Sequence, residues 1–356
     1  MNRRFFNLAL IACALINAQV FTSCGDDKDE VEEPTVAAEE YIYVVNNGNW
    51  GGNDGSLTRF NLKDSAVTQD FFSRQNDGRR LGDLAQDLIV YGSKMYITVN
   101  GSSTIEITDL DAKSLKQIKT GSAPHSLAAY GNKVYVTCMN GYLARIDTAT
   151  MEIDAQTRVG RNPEQLTVAK GKIYVTNTGG QDYNTETGYD KTVSVVDPAT
   201  FTETRQILVV LNPRYIAADP SGGVYVVSAG NYGDVPNALQ KIDATTDAVS
   251  TMSGINGSYV ATLGTTLYAV DAPWGGAVKY YSYDTEAGRL LSDNFVGNEV
   301  IASNPQLNTD AVFEHVYITS SDYMNNGDIY VFDKSGKLLW TFETGLNPMK
   351  AVRIKK

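Results

Sequence analysis

Residues 160–200 read GRNPEQLTVAKGKIYVTNTGGQDYNTETGYDKTVSVVDPAT, and the reading of this stretch decides the fold. It opens on a Gly-x-x-Pro landmark, Gly160 to Pro163, and runs through a short apolar segment to a tight turn at Gly171-Lys172. A β-branched run around Tyr174 follows, then a long loop of polar and aromatic residues, then a second β-branched run ending at Asp197. Short alternating runs bounded by turn residues read as strands. The stretch is therefore one sheet unit: strand A after the proline, B with the tyrosine, C ending at the aspartate, and D beyond it.

The same unit recurs along the chain. Strand B returns seven times, with Tyr43, Tyr96, Tyr135, Tyr174, Tyr225, Tyr268 and Tyr317, and these tyrosines are expected in the core. Strand C ends at Asp147, Asp197, Asp243, Asp284 and Asp333, where a carboxylate can cap the N–H groups of the turn that follows. Prolines 124, 163, 213, 305 and 348 open strand A in five units. Residues 41 to 355 shared among seven units give about 45 each, and four strands at a period of 40–50 residues mark a propeller. The chain begins on a B strand with no A strand before it and ends on Pro348 to Ile354, an A strand with no B strand after it. Pairing the two ends would close the ring and remove two open edges. The expectation is an all-β, seven-bladed β-propeller of four-stranded blades.

The first residues stand outside this pattern. Arg3 and Arg4 precede an apolar run, Phe5 to Ile16, too short to span a bilayer, and together they read as a signal peptide over 1–23. Cys24 follows Phe21-Thr22-Ser23, which resembles a bacterial lipobox with an aromatic where an aliphatic residue is usual, so Cys24 is the expected lipidation site. The acidic run after it resembles the surface-export signal of Bacteroidetes-type lipoproteins. Residues 25–40 carry eight acids and one lysine, so 24–40 is expected to be a disordered tether and 41–356 the propeller. The rest of the chain is only mildly acidic despite the formal charge of −11, and no Lys/Arg cluster points to nucleic acid. With Cys13 in the signal, Cys24 beside it and Cys138 alone in the folded part, a disulfide framework is excluded.

The strands Tyr174-Val-Thr-Asn177 and Tyr96-Ile-Thr-Val-Asn100, with the Gly-x-x-Pro and Ile-Asp-x-x-Thr landmarks, resemble the YVTN/YncE-type seven-bladed propellers over residues 41–356. With the leader, the chain is similar to the Bacteroidetes surface lipoproteins that capture cobalamin (BtuG type). That resemblance implies an outer-membrane, surface-exposed lipoprotein that binds cobalamin or another corrinoid, delivers it to a TonB-dependent transporter, needs no cofactor of its own and catalyses nothing.

Loop lengths give an independent pointer to a site. Connections A–B and C–D are short, whereas several B–C loops, which share the opposite end of the ring, are long and carry Trp50, Tyr183, Tyr189, Tyr232, Trp274 and Tyr323. Aromatics beside Asn, Gly and Asp offer flat apolar surface next to hydrogen-bonding groups. The residues that start the A strands face the channel mouth at the same end: Gln86, His125, Gln165, Arg214, Tyr215, Tyr259, Gln306 and Lys350. In the corrinoid reading Arg214, Gln165 and loop asparagines supply hydrogen bonds. His125 and His315 fall at opposite ends and cannot share an ion. Asp182, Glu186 and Asp190 lie in one loop that could bind calcium, though solvated acids are the favoured reading and no metal site is expected. Two alternatives stay open: a cell-surface scaffold binding another protein, and a lactonase-like enzyme with a metal held by channel-mouth carboxylates.

Overall fold

The computed structural model describes residues 39–273, 276–297 and 304–356. The signal peptide, Cys24 and all but the last two residues of the tether lie outside the described residues. Among those described, the strands form seven four-stranded antiparallel sheets. Blade 4 holds the quoted unit: A is Pro163–Ala169, B Lys172–Asn177, C Thr192–Asp197 and D Thr202–Leu208. Blade 1 is closed by the chain ends, its A strand Pro348–Lys355 pairing with the B strand Glu40–Asn46 in the register Tyr41 to Ile354 and Val45 to Lys350. The seven-bladed ring and its closure are as the repeat pattern requires.

There is no single core. Seven apolar clusters are found among the described residues, and each lies between two adjacent blades. A B strand such as Lys172–Asn177 is buried at every position after its first because both faces meet a neighbouring blade, whereas the outer strand Thr202–Leu208 is largely exposed on alternate residues. The seven tyrosines fill these clusters. Several also tie one blade to the next through the hydroxyl: Tyr43 donates to Leu110 O, Tyr174 to Ala244 O and Tyr268 to Lys334 O. At the closing interface Phe60 and Phe342 stack 4.3 Å apart.

The recurrent motif residues each have a structural task. The aspartate ending strand C accepts from the following turn, as Asp147 does from Ala149 N at 2.9 Å and Thr150 N at 3.0 Å. In the Tyr-Val-Thr-Asn strand, the asparagine lies beneath the glycine that opens the same blade. A Cβ on Gly160 would sit 2.3 Å from the Asn177 side chain, and one on Gly345 would sit 2.7 Å from Asn46, so no larger residue fits. The threonine answers a bulge. Strand A slips register near its start in blades 2, 3 and 4, and the amide this frees donates to the B-strand threonine: Asp87 N to Thr98, Ser126 N to Thr137, Gln165 N to Thr176. In blades 2, 3 and 7 that threonine hydroxyl then donates to the next blade's A strand: Thr98 to His125 O, Thr137 to Glu164 O, Thr319 to Pro348 O.

Candidate functional site

The bulges and threonines fix the inner strands where they approach the channel mouth. Each A strand is in register with its B strand at Ala351, Leu88, Leu127, Leu166, Ile216, Val260 or Leu307, opposite the residue after the core tyrosine. The residues one step before form an inner tier, and those two steps before form an outer tier. Gln165, Tyr215, Tyr259, Gln306 and Lys350 fall in the first, while Gln86, His125 and Arg214 fall in the second. The set expected from sequence is therefore two layers.

Within the inner tier, side chains join neighbour to neighbour around much of the ring. Lys350 Nζ donates to Asp87 Oδ1 at 2.6 Å and Ser126 Oγ to Asp87 Oδ2 at 3.0 Å. Ile216 N donates to Gln165 Oε1 at 3.3 Å, the Tyr215 ring meets Tyr259 edge-on at 4.7 Å, and Gln306 Nε2 donates to the Tyr259 hydroxyl at 3.3 Å. Burial, then the neighbouring Tyr259, holds the Tyr215 hydroxyl well above its ordinary pKa. In the outer tier the Arg214 guanidinium grips Glu164 through Nε at 3.0 Å and Nη2 at 3.2 Å. His125 lies between these pairs with its Nδ1 buried and unpartnered among the described residues, and burial lowers its pKa so that the neutral imidazole is favoured. All of these but Glu164 line a cavity of about 480 Å³, within the ordinary range of small-molecule sites.

Loop tyrosines extend the site outward. Tyr183 and Tyr189 of the blade 4 loop stack at 6.3 Å, and Tyr189 meets Tyr232 of the blade 5 loop edge-on at 6.3 Å. Tyr323 of the blade 7 loop lines the cavity itself. Tyr183, Tyr232 and Tyr323 are 61%, 70% and 60% exposed. Tyr232 and Tyr323 also carry φ of 57° and 63°, a left-handed conformation that costs a bulky residue on the order of 1 kcal/mol and concentrates at functional sites. These rings and the Tyr215–Tyr259 pair make an arc over blades 4 to 7.

The family model described as Domain of unknown function (DUF5074) matches residues 40–339. The chain belongs to that family. No curated protein matches it. Among solved structures it is similar to a putative 6-phosphogluconolactonase from Bacteroides fragilis, with a TM-score of 0.63 and 12% identity over 91% of this chain and 100% of that one. It is also similar to a quinonprotein alcohol dehydrogenase-like protein from Bacteroides thetaiotaomicron, TM-score 0.62 and 17% identity over 88% and 77%. Hydrazine synthase of Kuenenia stuttgartiensis gives 0.59 and 14% over 76% and 95%. At such identities the likeness is one of fold.

Several expectations need correction. Trp50 is 86% exposed on the blade 1 loop and, unlike Tyr183, Tyr189 and Tyr232, meets no other rim ring among the described residues, so the arc does not include it. Trp274 lies outside the described residues. Arg214 was expected to serve the ligand, but two of its nitrogens are held by Glu164. Asp182 and Asp190 are not simply solvated: Arg161 bonds Asp182 at 2.6 Å and approaches Asp190 at 3.5 Å, clamping the loop that carries Tyr183 and Tyr189. No group of three or more His, Cys, Asp or Glu among the described residues is placed to hold a metal ion. The sequence reading missed Asp87 and Glu164; the one usable signal was an acid within two residues of an A-strand start.

Proposed function

We propose that this protein is a non-catalytic, surface-exposed lipoprotein that captures a cofactor-sized ligand, cobalamin or another corrinoid, on the B–C loop end of the ring and passes it to a TonB-dependent outer-membrane transporter. The observation that carries the reading is a 480 Å³ mouth lined by Tyr215, Tyr259 and the exposed Tyr323, with the exposed Tyr183 and Tyr232 joined through Tyr189 on the loops of blades 4 and 5. Water-facing rings on strained loops cost stability and suit a site that a flat ligand later covers; covering each is worth on the order of 2 kcal/mol. A corrin ring would lie across the tyrosines while amide side chains reach the glutamines below. Anchoring through Cys24 would keep the binder beside its transporter at an effective concentration approaching roughly millimolar.

The lactonase-like alternative finds a carboxylate in the channel, Asp87, yet its oxygens are taken. Oδ1 accepts from Lys350 Nζ and Leu88 N, and Oδ2 from Ser126 Oγ and Leu127 N, which uses the four lone-pair directions of a carboxylate. Calorimetric titration of the purified protein with cyanocobalamin, run beside a metal-supplemented lactone hydrolysis assay, tests the proposal. Binding without turnover is expected. Absence of binding at micromolar protein ends the corrinoid reading, and lactone turnover favours the enzyme.

A further inference from the structure

We infer that the channel mouth recognises a neutral group rich in hydrogen-bond acceptors, such as a primary amide, through the side-chain amino groups of Gln86 and Gln165, and discriminates against the matching carboxylate. This rests on the reading of the mouth as a ligand site, and not on the ligand being a corrinoid.

The inference follows from which polar groups of the lining remain unspent. Asn308 uses both ends of its amide on Ala351, donating to its O at 2.9 Å and accepting from its N at 3.1 Å. Thr262 donates to Ala218 O and Thr309 to Thr262 O, each at 2.7 Å. The charged groups cancel locally, Lys350 against Asp87 and Arg214 against Glu164. Apart from His125, whose Nδ1 has no partner among the described residues, what remains is set by two glutamines whose orientation backbone groups dictate. Ile216 N can only donate, so the atom of Gln165 it meets is the oxygen. Asn47 Nδ2 donates to Ala85 O, a carbonyl that can only accept, and the same nitrogen meets Gln86 at 3.1 Å, so that atom is also an oxygen. Both Nε2 groups are thereby left without a protein partner among the described residues, in side chains that line the cavity. Gln306 differs, because the Tyr259 hydroxyl it touches can give or take and fixes neither end.

Two fixed donors facing a cavity select an acceptor. A carboxylate would satisfy them, but it would enter beside Asp87 and Glu164 with every nearby cation already paired. Its desolvation would go uncompensated.

Glutamate separates recognition from structure at these two positions. Gln86→Glu and Gln165→Glu keep the oxygen that Asn47 and Ile216 require and replace the free amino group with a second acceptor. Full-length wild type and both variants are titrated with cyanocobalamin by calorimetry, and with propionamide and sodium propionate by following side-chain amide signals in NMR spectra. Expected are melting temperatures close to wild type, propionamide binding to wild type at least tenfold tighter than propionate, and loss of that response in each variant. For cyanocobalamin a loss of at least tenfold is expected in each variant, the scale of one buried donor left facing an acceptor wrongly. Propionate binding as tightly as propionamide, or neither producing a response at Gln86 and Gln165, overturns the inference even if the variants fold poorly, because that arm uses wild type. A propionamide response without cyanocobalamin binding rejects the corrinoid and keeps the inference. Cyanocobalamin binding unchanged in both variants does the reverse.

Discussion

Replacing Lys350 with methionine tests how the ring is fastened at the channel. Lys350 sits on the closing strand and Asp87 on the neighbouring blade, and their 2.6 Å contact joins the last strand of the chain to an early one. The Asp87 side chain is 8% exposed and the Lys350 side chain 27%. Removing one partner of a buried pair costs roughly 3–5 kcal/mol, because the other charge stays behind. Three donors would remain on Asp87, from Leu88, Ser126 and Leu127. The low end, about 3 kcal/mol, is therefore expected, a fall of about 5 °C in melting temperature for a domain of this length. Adding Asp87→Asn removes the stranded charge and should recover about half of the loss, measured by calorimetric or circular-dichroism melts of all four members of the cycle. A fall under 1 °C for Lys350→Met, or a double variant no more stable than it, would refute the account.

Three more expectations follow. Tyr183→Ala and Tyr232→Ala remove exposed rings, so each should leave the melting temperature within about 1 °C while weakening cyanocobalamin binding several-fold; a large loss of stability would show that the arc is a packed cap. Cys138 is buried and its thiol is pushed up to about 12, so with thiolate scarce at pH 8 a disulfide reagent should modify it only as fast as the protein unfolds; rapid labelling of the native state would contradict this. Burial, first among the causes, lowers the pKa of both His125 and His315. The unfolded chain then binds protons more readily below about pH 6.5 and stability falls as the pH drops through that value. The double variant His125→Gln/His315→Gln should flatten the dependence of melting temperature on pH between about 5 and 7.

The fold was legible because its determinants are residue types that repeat: a tyrosine that needs two neighbouring blades, an asparagine under a glycine, an aspartate capping a turn. The offset of the chain ends disclosed the closure for the same reason. The rim was legible in part. Tyr183, Tyr189 and Tyr232 come together because adjacent loops carry them, but Trp50, on the same end, meets none of them. The channel chemistry was harder to read. A bulge shifts register without leaving any residue of its own, so Gln86 and Asp87, adjacent in sequence, occupy different tiers. Blade 2 also lacks the Gly-x-x-Pro signpost, which hid Asp87, and nothing in the sequence of strand A marks Glu164 as the partner of Arg214 from the next blade.

The threonines that bridge bulge and neighbouring blade have an evolutionary corollary. In blades 2, 3, 4 and 7 they take up main-chain amides or carbonyls at the rim of the pore, so those backbone groups are satisfied whatever residues they bear. Substitutions at the pore positions can then accumulate without unfastening one blade from the next. Paralogues of this architecture should be able to change cargo by exchanging a few pore side chains while the threonines beneath them stay in place.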